Sequence, residues 1–143
     1  MSTSTATVDA AREWLAGADT QPDHAYRWWG SHPDGVAIIP LGRIFEAIEV
    51  PPSLADAVLA SPRITGPVIR YGEAGHICVL VPVGTSATWE HEQALCLDAR
   101  HFLSVPDPDR CSPSGAHWVR PPDGSGKLTE AGALAGVLAE VTK

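Results

Sequence analysis

Gly35-Val-Ala-Ile-Ile-Pro40-Leu-Gly-Arg43-Ile-Phe-Glu-Ala-Ile-Glu49-Val-Pro51-Pro52 is the stretch in which the chain changes its pattern. Helical periodicity gives way to β-branched and apolar residues, broken at Pro40-Leu-Gly42 and closed by the Pro51-Pro52 pair. That pattern predicts two strands joined by a tight turn. Before it, Val8, Ala11 and Leu15 share one helical face with Asp9 and Glu13 outward, and Gly17 is placed to end that helix in a left-handed cap. Pro22-Asp23 suits the first turn of a second helix, which runs through Ala25 to Trp29 before Gly30 and the His32-Pro33 step stop it. Adjacent helical positions point in different directions, so only one of Trp28 and Trp29 packs inward and the other lies at the surface or over a groove.

After Pro52, Ser53 is the expected N-cap of a helix through Leu54, Ala57, Val58 and Leu59, ended by Ser61-Pro62. Strands are predicted at Pro67 to Tyr71, His76 to Val83, Cys96 to Ala99, Phe102 to Val105 and His117 to Arg120. Leu134, Val137, Leu138 and Val141 repeat at helical spacing in a last helix over Leu128 to Val141, with Thr129 as its cap. Helices at both ends of a strand-rich middle read as α+β, with one mixed or antiparallel sheet and helices on one face. Turn-rich Pro106 to Asp109 and Cys111 to Gly115 are loops rather than linkers.

The chain has 143 residues, 44% hydrophobic and 19% charged, with 13 Gly and 13 Pro. This fits one globular domain over 1–143 with many turns, since single domains run to about 100–200 residues. The opening residues show no basic-then-apolar leader, and no apolar run approaches the roughly 18 residues that span a bilayer, so the expectation is a cytoplasmic protein with no membrane role. Cys78, Cys96 and Cys111 have no Cys-x-x-Cys spacing, which fits reduced thiols; Cys78 and Cys96 sit in apolar runs and read as core.

The formal net charge is -7 and there are only two lysines, Lys127 and Lys143. A domain that grips phosphate backbones autonomously carries a basic face, so strong nucleic-acid binding is not expected here. Acids Asp9, Glu13, Asp19, Asp23 and Asp34 load the first part of the chain, and Arg63, Arg70, Arg100, Arg110 and Arg120 follow from its middle onward.

Three segments place a carboxylate or imidazole at the edge of an apolar run: Glu49 before Val50-Pro51, His76 in Gly72-Glu-Ala-Gly-His76-Ile-Cys-Val, and Asp98 in Leu95-Cys-Leu-Asp98-Ala-Arg100. Two-metal nucleotidyl transfer needs carboxylates from separate strands converging on Mg²⁺ or Mn²⁺. An Asp-x-Asp or Asp-x-Glu pair on one strand serves, because alternate residues point the same way. Glu49 fills one such position; the alternate one is Pro51, which has no ligand. Glu46, three residues back, projects from the opposite face of a regular strand.

In that order the segments resemble the three motifs of the primase-polymerase (prim-pol) domain of the archaeo-eukaryotic primase superfamily. Trp28-Trp29-Gly-Ser-His32-Pro33 ahead of the acidic strand, Gly72-Glu-Ala-Gly75-His76, and Asp98-x-Arg100 followed by Phe102 to Pro106, Pro113-Ser114 and Trp118 carry the resemblance over about residues 26–122. It implies that Glu49 and Asp98 are metal ligands, that His76 contacts the phosphates of a nucleotide, and that Arg100 lies near the triphosphate. It also implies Mg²⁺ or Mn²⁺ if the site is active, and a first motif degenerate at Pro51. The plain readings of the same residues are an edge-strand glutamate, a hydrogen-bonded strand-end histidine and an exposed Asp98–Arg100 pair. Gly124-Ser-Gly-Lys127 departs from phosphate-loop spacing and reads as a turn, and His91, His101 and His117 read as solvated loop residues.

Three functions follow. The first is a catalytically degenerate prim-pol-like domain retained to bind a protein partner or, weakly, a nucleotide. The second is an active metal-dependent nucleotidyltransferase rescued by Glu46 or a backbone irregularity. The third is an unrelated scaffold or regulatory protein whose interface uses Trp28 or Trp29.

Overall fold

The computed structural model describes residues 5–31 and 35–143. The first four residues, Asp34 and the His32-Pro33 step assigned above to the end of the second helix lie outside the described residues. In chain order the elements are α1 (Thr5–Ala16), α2 (Asp23–Ser31), β1 (Val36–Pro40), β2 (Glu46–Val50), α3 (Pro52–Leu59), β3 (Val68–Tyr71), β4 (Ile77–Val81), a 3₁₀ turn (Thr85–Ala87), β5 (Leu95–Leu97), β6 (Phe102–Pro106), β7 (Ala116–Arg120) and α4 (Ala131–Val141).

The architecture is α+β, with every strand pairing antiparallel. Five strands form one sheet in the order β5-β2-β4-β3-β7, and β1 pairs with β6 in a second sheet. β4 occupies the middle of the larger sheet and is buried at every position. A strand covered on both faces must be apolar throughout, and Ile-Cys-Val-Leu-Val meets that requirement. Its odd-numbered residues Ile77, Val79 and Val81 join Ile48, Val50 and Val68 in a core closed by Ala55 and Val58 of α3 and Leu134, Val137 and Leu138 of α4. Cys78 and Leu80 face the other way, into a core with Leu15, Trp29, Ile39, Phe45, Leu103, Val105 and Trp118.

β6 is fastened to this second core by two indoles. Trp29 of α2 donates its indole N–H to the Val105 carbonyl (3.0 Å) and Trp118 of β7 donates to the Pro106 carbonyl (2.9 Å). Buried tryptophan needs such a partner, because an unpaired N–H would carry a desolvation cost of about 1–3 kcal/mol. Arg12 of α1 adds ion pairs to Asp107 and Asp109 just beyond β6.

Several local expectations are corrected. The stretch from Gly35 to Pro52 does not form a hairpin: β1 pairs with β6 instead, because Ala37 and Ile39 pack with Leu103 and Val105 against the helices. Residues 41–45 form a connection, in which Gly42 takes φ 94° and donates its N–H to the Phe45 carbonyl. A Cβ on Gly42 would stand 2.5 Å from that of Ala99, so both backbone sign and space require glycine. The helices cover both faces of the larger sheet rather than one.

Helix ends also differ. Pro51, not Ser53, caps α3, with Pro52 in the first turn, where its missing N–H costs nothing. Gly17 is not left-handed, since the positive-φ residues are other glycines. Glu130 stands at the N-cap of α4, and Thr129 is instead buried, its hydroxyl accepting the Gly66 N–H at 2.9 Å.

Candidate functional site

Antiparallel register decides which side chains meet. On β2 and β4 Glu49 is the direct partner of Cys78 and Val50 of Ile77, so Glu49 and Cys78 project side by side from one face. His76 precedes Cys78 by two residues and shares its face. Its Nε2 lies 3.6 Å from a Glu49 oxygen, and both side chains are 39% exposed, whereas Cys78 is buried. The nitrogen, oxygen and sulfur ligand atoms of the three residues all lie within 4.8 Å of one another.

The turn between β3 and β4 sets the position of His76. Gly72 has φ 92° and donates its N–H to Gly115, while Tyr71 donates its backbone N–H to the His76 carbonyl. Gly75 runs so close to Tyr71 that a Cβ there would lie 1.7 Å from the Tyr71 carbonyl oxygen. The imidazole stacks on the Tyr71 ring with centroids 4.7 Å apart and planes 17° from parallel. Tyr71 is itself anchored, donating its hydroxyl to the Ser104 carbonyl at 2.6 Å. Burial raises the Tyr71 hydroxyl far above its ordinary value, reinforced by Cys78 and Glu49. Burial and then the Glu49 charge push the Cys78 thiol up to about 12, against a hydrogen bond with Tyr71 that lowers it.

Asp98 is not among these groups. On the other side of β2 the partner of Glu49 is Leu95, and β5 pairs onward through Cys96 with Ile48 and Leu97 with Ala47. Asp98 lies three residues beyond Leu95, about 10 Å along an extended chain. Its carboxylate is taken by Arg100, whose Nη2 is 3.0 Å away, and by His101 at 3.2 Å. The Arg100 side-chain and backbone N–H groups hold the Asp98 carboxyl well below the usual carboxylate range. Arg100 is therefore an ion-pair partner of Asp98, with its side chain 83% exposed.

Glu46 faces the opposite side of the sheet from Glu49, as a regular strand requires, and is buried. One oxygen accepts the Ser86 N–H (2.8 Å) and the other the Gly84 N–H (3.0 Å) and the Ser86 hydroxyl (3.3 Å). The Cys96 thiol donates to the same carboxylate at 3.7 Å. That thiol is pushed up to about 12 by burial, by Glu46 and by Asp98. Glu46 thus fastens the 3₁₀ turn and is not free to join a metal site on the other face.

Pro51 supplies no carboxylate, and its conformation serves the start of α3. The donors gathered around Glu49 are one carboxylate, one imidazole and one thiol. Mg²⁺ and Mn²⁺ in nucleotidyl transfer want oxygen ligands, normally from more than one carboxylate. This set does not fit a pair of such ions.

Trp28 and Trp29 part company on α2: Trp29 is 7% exposed and Trp28 is 47% exposed. Trp28 lines a groove of about 430 Å³ with His24, Arg27 and Ser31. Cys78 was legible only as core; the alternation His76-x-Cys78 is the one signal that sets it beside His76. Among the other histidines, His91 accepts the Gln93 and Ala94 N–H groups, and His117 is buried against the Gly115 carbonyl rather than solvated.

An α+β domain with an acid on β2, a histidine just before β4 and an acid just after β5 is the class this architecture defines. The family model for bifunctional DNA primase/polymerase, N-terminal (Prim-Pol), matches residues 3–140, nearly the whole chain. The chain belongs to this family, and the match reaches past the quoted motifs into both terminal helices. No curated protein and no solved structure matches it.

Proposed function

We propose that this chain is a primase-polymerase-like domain that has kept its fold for binding and lost nucleotidyl transfer, and that its principal ligand is a protein seated over α2. The register of β5 on β2 supports the reading: Leu95, not Asp98, is the strand partner of Glu49, and the Asp98 carboxylate pairs with Arg100 and His101. The vacancy at Pro51 and the engagement of Glu46 by Gly84 and Ser86 argue against a rescue from the same strand.

The cations support the same conclusion. Arg12, Arg63, Arg70 and Arg100 each pair with carboxylates. Arg43 and Arg120 donate to backbone carbonyls, as does Arg110. Arginines already engaged by carboxylates and carbonyls of the same chain are poorly placed to release counterions from a phosphate backbone. What remains outward on α2 is Trp28 with Arg27, and tryptophan and arginine are the residues that anchor protein interfaces.

A nucleotide at His76 is the second reading, favoured by a half-exposed imidazole held flat on Tyr71. Incorporation of labelled nucleotide on a single-stranded template with Mg²⁺ or Mn²⁺ tests the main reading. The expected result is none above background; incorporation that Asp98→Ala or Glu49→Ala abolishes would overturn it. Thermal unfolding with nucleoside triphosphate and Mn²⁺ tests the second reading, since ligand at 100 times its Kd adds about 2.7 kcal/mol.

A further inference from the structure

The geometry points to Glu49, His76 and Cys78 as a site for one thiophilic divalent cation of the Zn²⁺ class, in place of the hard ions that the family's chemistry uses. The three donors come from paired central strands, not from loops: Glu49 and Cys78 are register partners on β2 and β4, and His76 lies two residues before Cys78 on the same face. Their ligand atoms are mutually within 4.8 Å, and Nε2 of His76 is 3.6 Å from Glu49. A tetrahedral zinc ion with bonds of about 2.0–2.3 Å sets its ligand atoms roughly 3.3–3.8 Å apart, so the imidazole–carboxylate spacing already suits it and the others need to close by about 1 Å at most.

Chemistry selects the ion. Sulfur and imidazole nitrogen favour Zn²⁺ or Co²⁺ over Mg²⁺, which demands oxygen ligands. On binding, the Cys78 S–H bond breaks, its proton leaves to solvent, and the sulfur pair forms the bond to the metal. The resulting thiolate and the Glu49 carboxylate balance the two positive charges, with His76 neutral. Tyr71 stacks on the His76 ring and is fixed through its hydroxyl on Ser104, which holds the imidazole in place as an outer-shell group does. The exposed edges of Glu49 and His76 give the ion its way in and leave the fourth position to water.

Cobalt(II) titrated into the full chain at neutral pH provides the test, read by the thiolate-to-cobalt charge-transfer absorption in the near ultraviolet. The expected result is a saturating band at one equivalent, displaced by Zn²⁺ and untouched by excess Mg²⁺. The band should vanish in Cys78→Ser and persist in Cys96→Ser and Cys111→Ser. In His76→Gln, at a half-exposed position that spares the fold, affinity should fall by at least about 10-fold. No thiolate band in the native chain, or one that His76→Gln or Cys78→Ser leaves unchanged, would overturn the assignment. Because no nucleotide is present, this outcome is separate from that of the incorporation assay.

Discussion

Glu46 and Glu49 stand three positions apart on one strand, and the pleat sends them to different environments. Glu46 is 4% exposed and satisfies two backbone N–H groups of the 3₁₀ turn. Glu46→Ala would orphan both and should cost about 3 kcal/mol in urea unfolding. Trp28 and Trp29 make a similar contrast. Trp29→Ala should cost about 3–5 kcal/mol through the lost core volume and the stranded Val105 carbonyl, whereas Trp28→Ala should stay within about 0.5 kcal/mol. The thiols offer a chemical check. Cys111 is exposed, while burial holds the Cys78 thiol protonated to about 12. Alkylation near pH 8 should therefore label Cys111 and spare Cys78, as peptide mass mapping would read. The sign for stability follows from linkage: the unfolded thiol ionises at its ordinary value near 8.5, so stability is full below that and falls as pH climbs toward about 12.

At the scale of elements, the turn between β3 and β4 matters most to the site. It brings Gly75 against the Tyr71 carbonyl, so Gly75→Ala should destabilise by about 2 kcal/mol or more and disturb the His76–Tyr71 stack, measurable as a shift of the His76 ring resonances. Thr129→Val, which removes the acceptor of the buried Gly66 N–H, should cost about 1–2 kcal/mol. The helices were legible in the sequence because Val8, Ala11 and Leu15, or Leu134, Val137 and Leu138, repeat at a local period that needs no knowledge of the rest of the chain. Strand existence was legible too, through β-branched runs between prolines and glycines. Pairing was not: that β1 joins β6 and not β2 is set by contacts across more than sixty residues, and a period of two carries no information about the partner. For the same reason, sequence could bring His76 near an acidic strand but could not say that Leu95 would take the place beside Glu49. Thr129 misled because a hydroxyl before a helix serves equally well as a cap or as an acceptor for a neighbouring loop, and Ser53 because Pro52 already fills the first turn with Pro51 as the cap.

Across the whole molecule, the net charge is -7, and Arg12, Arg70 and Arg100 pair with carboxylates of the same chain. Among the described residues no helix is long and apolar enough to cross a membrane. The two cores on either side of the five-stranded sheet are filled, and β4 is sealed between them. The acids each have their own partners, Glu49 with His76, Glu46 under the 3₁₀ turn and Asp98 with Arg100, and the proposed loss of nucleotidyl transfer rests on that dispersal. Crystals grown with Mn²⁺ and a non-hydrolysable nucleoside triphosphate, measured for manganese anomalous scattering, test that dispersal most directly. The account predicts no anomalous peak bridging Glu49 and Asp98; a peak coordinated by both carboxylates would contradict it.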